Sequence, residues 1–145
     1  MFPRILPFVL LLVSLALVGC KGSEISTFAG FTFGGGGNTF SADPAVLRVG
    51  DETARLVAGK EGGPVYLALE WPRSGEDWTG QTVSISAAQV QVKDKVSSLT
   101  SLKEGTIALQ ARQGDICHGS FELITTSEDG REFSVVGSFT ARQEP

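Results

Sequence analysis

The chain has 145 residues, with 12 Lys and Arg against 16 Asp and Glu, a formal net charge of −4 and a sequence pI near 5.0. This acidic balance, with no basic stripe anywhere, argues against nucleic acid and against direct binding to anionic lipid. The length is that of one ordinary domain with a real core, and 18 Gly with abundant Val, Thr, Ser and Phe point to an all-β chain.

The N-terminus has the layout of an export signal. Arg4 supplies a lone positive charge, and Ile5 to Val18 form an apolar run. At about 1.5 Å per residue this run is too short to span a hydrocarbon core of about 30 Å. It ends in Leu17-Val18-Gly19-Cys20. Those four residues resemble the lipobox of bacterial lipoprotein signal peptides. The resemblance implies a thioether from Cys20 to diacylglycerol, cleavage before Cys20 and acylation of the new amine. Residues 1–19 are then a signal peptide to be removed, not folded. Residues 20–26 form a lipidated polar tether, and residues 27–145 form the domain. Several acyl chains hold a protein stably where one binds marginally. The implied location is the bacterial cell envelope. In enteric bacteria an Asp after the Cys resembles an inner-membrane retention signal; Lys21 stands there instead, which points to the outer membrane. With Cys20 lipidated, Cys117 is the one free thiol, so no internal disulfide is expected and stability must come from burial.

Beyond the tether, Thr27 to Phe33 reads as a strand with Ala29, Phe31 and Phe33 on one face. Gly34 to Gly37 follow, without the Lys and helix start that a phosphate-binding loop needs, so a hairpin loop is expected. Phe40 to Ala42 and Ala45 to Val49 are short strands broken at Asp43-Pro44. Ala54, Leu56 and Ala58 mark the next strand. Val65, Leu67, Leu69 and Trp71 alternate with Tyr66, Ala68 and Glu70, the pattern of a half-buried strand. Pro72 to Gly80 is the longest polar loop. Val83 and Ile85 continue the alternation at odd positions, whereas Val90 and Val92 are apolar at even ones, so a bulge or tight turn is expected near Ala87-Ala88. Residues 93–104 carry no clear pattern, and Leu99 with Leu102 suggests one helical turn. Ile107, Leu109 and Ala111 form a strand, and Gln113-Gly114-Asp115 turns the chain into a final pair of long strands.

About nine or ten strands, with turns at roughly 8–12 residue spacing, predict a two-sheet antiparallel β-sandwich, immunoglobulin-like or jelly-roll-like. The closing hairpin allows a specific register. A two-residue Asp129-Gly130 turn would pair Glu128 with Arg131 and mix polar and apolar groups on both faces. A three-residue loop with Gly130 left-handed pairs Ser127 with Arg131 instead. Phe121 then faces Gly137, and Phe139 faces Gly119, so each ring lies over a residue without a side chain. This register predicts Phe121, Leu123, Phe133, Val135 and Phe139 in the core. The closing pattern, a Gly-x-Phe strand, an Asp-Gly turn and a second Gly-x-Phe strand, resembles small β-rich bacterial lipoproteins of unassigned function.

Signs of chemistry are sparse. Cys117 and His118, the sole histidine, are adjacent, but neighbouring strand residues point to opposite faces. Cys117 shares parity with Phe121 and Leu123, and His118 with Ser120 and Glu122, which predicts a buried inert thiol and an exposed imidazole, not a nucleophile–base dyad. Glu76-Asp77 and Glu128-Asp129 lack the ligand spacing of a calcium loop. No catalytic residue, metal site or cofactor is expected. The candidate binding surface is the loop between two indoles: Arg73, Glu76, Asp77 and Trp78, with Trp71 assigned to the core by parity. The expected role is a lipid-anchored, non-enzymatic module that binds or scaffolds a protein partner or an envelope glycan. An envelope hydrolase, or a carrier of a small apolar ligand, is the alternative.

Overall fold

The computed structural model describes residues 25–33, 39–73, 79–93, 100–127 and 130–144. The described residues form ten strands and no helix: β1 (Phe28–Phe33), β2 (Thr39–Ala42), β3 (Ala45–Val49), β4 (Thr53–Gly59), β5 (Val65–Pro72), β6 (Thr82–Ser84), β7 (Ala87–Val92), β8 (Thr100–Gln113), β9 (Ile116–Ser127) and β10 (Glu132–Glu144). They hydrogen-bond into one sheet, ordered β6-β8-β9-β10-β3-β4-β5-β7, with β1 also on β10 and β2 on β1.

The sheet is mixed and curls into a half-barrel, where the sequence pattern predicts two separate antiparallel sheets. The reason is the length of β10. One of its edges pairs antiparallel with β9 from Glu132 to Arg142. The other edge is shared. Residues from Val135 to Thr140 pair antiparallel with β1, and Arg142 to Glu144 pair parallel with Val46 to Arg48 of β3. Local alternation reports which face a residue takes, not which edge its strand will share, so this junction leaves no trace in the pattern. At the junction the Ala45 amide donates to the Thr27 Oγ1 at 3.2 Å, tying the start of β1 to the start of β3.

The inward face is apolar on every long strand. Phe31, Leu47, Leu56, Leu67, Leu69, Trp71, Val90, Ile107, Leu123 and Val135 are all nearly fully buried. Each such side chain contributes roughly 1.5–3 kcal/mol by leaving water. Rings of Phe31, Phe33 and Phe40 add edge-on and tilted contacts at centroid distances of 5.6–5.9 Å.

The closing hairpin has the three-residue register. Glu132 opposes Thr126, Phe121 opposes Gly137 and Phe139 opposes Gly119, the series that sets Ser127 against Arg131. Gly130 has φ +85°, the left-handed value this loop needs. The rings lie on the glycines as expected: a Cβ on Gly119 would stand 2.5 Å from the Phe139 Cζ, and one on Gly137 2.6 Å from the Phe121 Cζ. Phe121, Leu123, Val135 and Phe139 are core. Phe133 is only half-buried, because it lies one inward position beyond Val135, where the pairing of β10 with β1 ends. Thr125 is fully buried, and its hydroxyl donates to the Phe133 carbonyl at 3.4 Å.

Other details depart from the sequence pattern. The phase change near Ala87 is a crossing between limbs: β6 pairs with β8, and β7 with β5. The corner is held by the Ile85 amide on the Gly105 carbonyl (2.9 Å) and the Ser86 amide on the Glu70 carbonyl (2.8 Å). Leu102 belongs to strand β8, not to a helical turn; Leu99 lies outside the described residues. Ala111 is exposed, because β8 shifts register between Leu109 and Ala111 and turns it outward opposite His118. Tyr66 and Ala68 are buried along with the inward face of β5, where the pattern predicts a half-buried strand.

Ring-over-glycine packing makes Gly137→Ala a direct probe. It should destabilise by about 1–3 kcal/mol through overpacking, first against the Gly30 carbonyl oxygen, 2.3 Å from the added Cβ, and then against the Phe121 ring. Gly130→Val should cost about 1–2 kcal/mol through left-handed strain alone. Urea unfolding midpoints check both. Both midpoints should fall, and Phe121→Leu should not restore Gly137→Ala, because the Gly30 carbonyl oxygen still stands 2.3 Å from the added Cβ.

Candidate functional site

The outward face of β1, β10, β9, β8 and β6 carries a regular polar pattern. Cross-strand pairing fixes its rows. Ser41, Gly30, Ser138, Ser120, Ala108 and Thr82 stand side by side across β2, β1, β10, β9, β8 and β6. The next row up is Thr39, Thr32, Val136, Glu122, Thr106 and Ser84. Short hydroxyl side chains dominate both rows, so the face is low and rich in hydrogen-bonding groups.

Two features of the chain turn part of this face into a depression. First, β6 stops at Ser84, and the chain leaves for the other limb through Ile85 and Ser86, so β8 has no neighbour beyond that point within the named strands. Second, β8 shifts register between Leu102 and Glu104. Leu102 and Glu104 share parity and would otherwise point the same way; the irregularity at Lys103 leaves Leu102 half-buried and turns Glu104 outward. The result is a depression of about 390 Å³ lined by Ser84, Glu104, Gly105, Thr106, Glu122, Leu123, Ile124 and Ser134.

Glu104 opposes Ile124, and Thr106 opposes Glu122, so the two glutamates are diagonal neighbours on one face. That relation places residues about 7–8 Å apart. Lys103 forms an ion pair with Glu132 across β9, beside this row. The Glu132 carboxylate accepts from the Lys103 ammonium and holds it above its usual range, mainly through that hydrogen bond and then through charge attraction. Carboxylates, three hydroxyl side chains and the Ile124 side chain together offer acceptors, donors and an apolar contact, which suits a polyhydroxylated ligand better than a purely apolar one.

Of the residues singled out from sequence, Glu76, Asp77 and Trp78 lie outside the described residues, as do Glu128, Asp129 and the Leu17–Cys20 motif. Arg73 is half-buried at the end of β5. Its guanidinium donates to the Gly50 carbonyl at 3.0 Å, and its amide donates to the Glu52 carbonyl at 2.8 Å, so it ties that loop to the β3–β4 turn. Trp71 is 1% exposed, in the core as its parity requires. Cys117 and His118 diverge as the parity argument predicts. Cys117 is fully buried, and the His118 ring is exposed with Nδ1 3.0 Å from the Thr140 Oγ1. Among the described residues, no three of the His, Cys, Asp and Glu side chains converge as a metal site would require.

Glu104 and Glu122 are the residues the sequence pattern misses as a pair. The alternation of β9 places Glu122 on the solvent side, but Glu104 sits in the unpatterned stretch, and only the register shift brings the two together. No family model, curated protein or solved structure matches the chain.

The Cys117 thiol is held above its ordinary value, first by burial and further by Asp115, with Arg112 opposing. A folded-state value above the unfolded one favours the native protein at pH below the unfolded value. That contribution is lost as pH rises from the ordinary thiol value through the raised folded-state one. Stability should therefore fall in that alkaline window in wild type and fall less in Cys117→Ala. Thiol reagent at neutral pH should label native protein far more slowly than urea-unfolded protein. A native rate matching the unfolded rate would contradict the burial.

Proposed function

We propose that the protein is a lipid-anchored binding module of the bacterial cell envelope that holds an envelope glycan on the outward face of β10, β9 and β8. The observation that carries this reading is the depression on the outward face, whose lining brings Glu104, Glu122, Ser84, Thr106 and Ser134 together with apolar surface that includes Ile124. Sugars present dense hydroxyl donors and acceptors with apolar CH faces between them, and a shallow site of this composition matches both. The resemblance of Leu17 to Cys20 to a lipobox supports a location at a membrane, with Lys21 favouring the outer one. In this reading the two limbs of the curled sheet, β6-β8-β9-β10-β1-β2 and β3-β4-β5-β7, act as the layers of a sandwich joined along β10. The site is non-enzymatic and uses no cofactor.

A second reading, hydrolysis of the bound glycan, is favoured by one observation, the diagonal Glu104–Glu122 pair in the same depression. The loop bearing Trp78 remains a candidate for a protein partner.

Co-sedimentation of the full-length protein with purified cell-wall sacculi, and titration with soluble glycan fragments, test the proposal. Each hydrogen bond to a charged group contributes about 1.5–3 kcal/mol. Glu104→Gln with Glu122→Gln should therefore weaken retention at least tenfold, with little change in melting temperature. Wild-type protein that is not retained, or a double variant retained as well as wild type, would overturn the glycan reading. New reducing ends appearing with wild type alone would favour hydrolysis.

A further inference from the structure

Among the described residues the exposed large apolar side chains are Ile25, Phe28 and Val136. Two of the three stand at the point where the chain enters the domain. Isolated exposed apolar residues are ordinary on a protein surface, so their position is what matters here. Ile25 is 54% exposed and Phe28 39%. Thr27 between them is fixed to the fold by the Ala45 amide, so Phe28 has a set place in β1 and Ile25, in the last residues of the tether, lies two residues from a fixed point. Phe28 lies at the foot of β1, opposite Thr140.

The chain upstream limits how far this point can move from a lipid anchor. Five residues separate Ile25 from Cys20 in number, and eight separate Phe28. At about 3.3–3.6 Å per extended residue, Ile25 lies within roughly 18 Å of Cys20 and Phe28 within roughly 29 Å. We infer that Ile25 and Phe28 dock on the bilayer that holds Cys20, seating the foot of β1 at the lipid interface. This rests on the reading of Cys20 as the acylated residue. The tether keeps the pair at high local concentration beside lipid, so even a small apolar contact is occupied for much of the time. Asp43 follows Ala42, which pairs with Ala29, and therefore flanks Phe28. A carboxylate there holds the contact at headgroup depth and out of the hydrocarbon.

Docking at this end has a consequence for the depression. Ser134 is six residues from Thr140 along β10, or about 20 Å at about 3.3 Å per residue. The foot of β1 thus rests on lipid while the depression stands farther along the strands on the same outward face, with Glu122 in the Val136 row and Glu104 in the Ser134 row.

Nitroxide labels read this directly on the full-length protein in vesicles of phosphatidylethanolamine and phosphatidylglycerol. Labels are placed at Ile25→Cys, Phe28→Cys and Val136→Cys, with buried Cys117 left in place. Labels at 25 and 28 should show a several-fold higher ratio of collision with oxygen to collision with a water-soluble nickel chelate than the label at 136. The mass of the same samples reports acylation of Cys20. Acylated protein whose label at 28 is as wet as that at 136 overturns the docking and leaves the anchor standing. Protein without acyl mass that fails to float with the vesicles overturns the anchor, and the docking with it.

Discussion

Everything in this structure depends on the way one long strand shares its edges. β10 gives one edge to β9 and divides the other between β1 and β3. Strands that pair on the same edge cannot overlap, so β1 and β3 meet end to end at residue 141 and then diverge. β1 carries β2 outward on one limb, and β3 carries β4, β5 and β7 on the other. The twist of the sheet folds these limbs towards each other and buries their apolar faces together. Ala141, at the junction, is fully buried, as a point of close approach between limbs requires.

The β9–β10 pair is rigid enough for this role because its register is determined twice. Gly130 supplies the left-handed turn at one end. Further along, Phe121 and Phe139 lie over Gly137 and Gly119, where any added Cβ would meet ring carbons at 2.5–2.6 Å. A slip of β9 by one residue would turn Leu123 to solvent and drive Glu122 inward. Exposed ion pairs at the rim, Arg142 with Asp115 (2.7 Å) and Arg48 with Glu144 (3.4 Å), add little to this, since such pairs contribute about 0–1 kcal/mol.

These local features are what made much of the molecule legible. Alternation identified the inward faces of β1, β4, β5 and β9, separated Cys117 from His118, and chose the hairpin register, because each depends on a residue and its near neighbours. The curl did not follow from pattern, since the sharing of the β10 edge is a matter of which strands meet across the chain. The depression was hidden for a related reason. It needs the end of β6 at Ser84 and the shift at Lys103, both irregularities that break the period used to read a strand. Ala111 was misplaced by the second shift in the same strand. Arg73, read as part of a binding loop, also reaches the Gly50 carbonyl, a contact no local pattern reports.

The proposed role follows from this architecture, because a smooth sheet offers no concavity and the interruption at β6 supplies one on an otherwise hydroxyl-rich face. That argument stands on the arrangement of strands around β10, which cross-strand nuclear Overhauser effects of the full-length protein measure most directly. The account predicts contacts from Arg142, Gln143 and Glu144 to Val46, Leu47 and Arg48 in parallel register, alongside contacts from Ala29 and Phe31 to Phe139 and Gly137. Contacts that set residues 142–144 beside any other strand, or two sheets with no contact between β10 and β3, would contradict it.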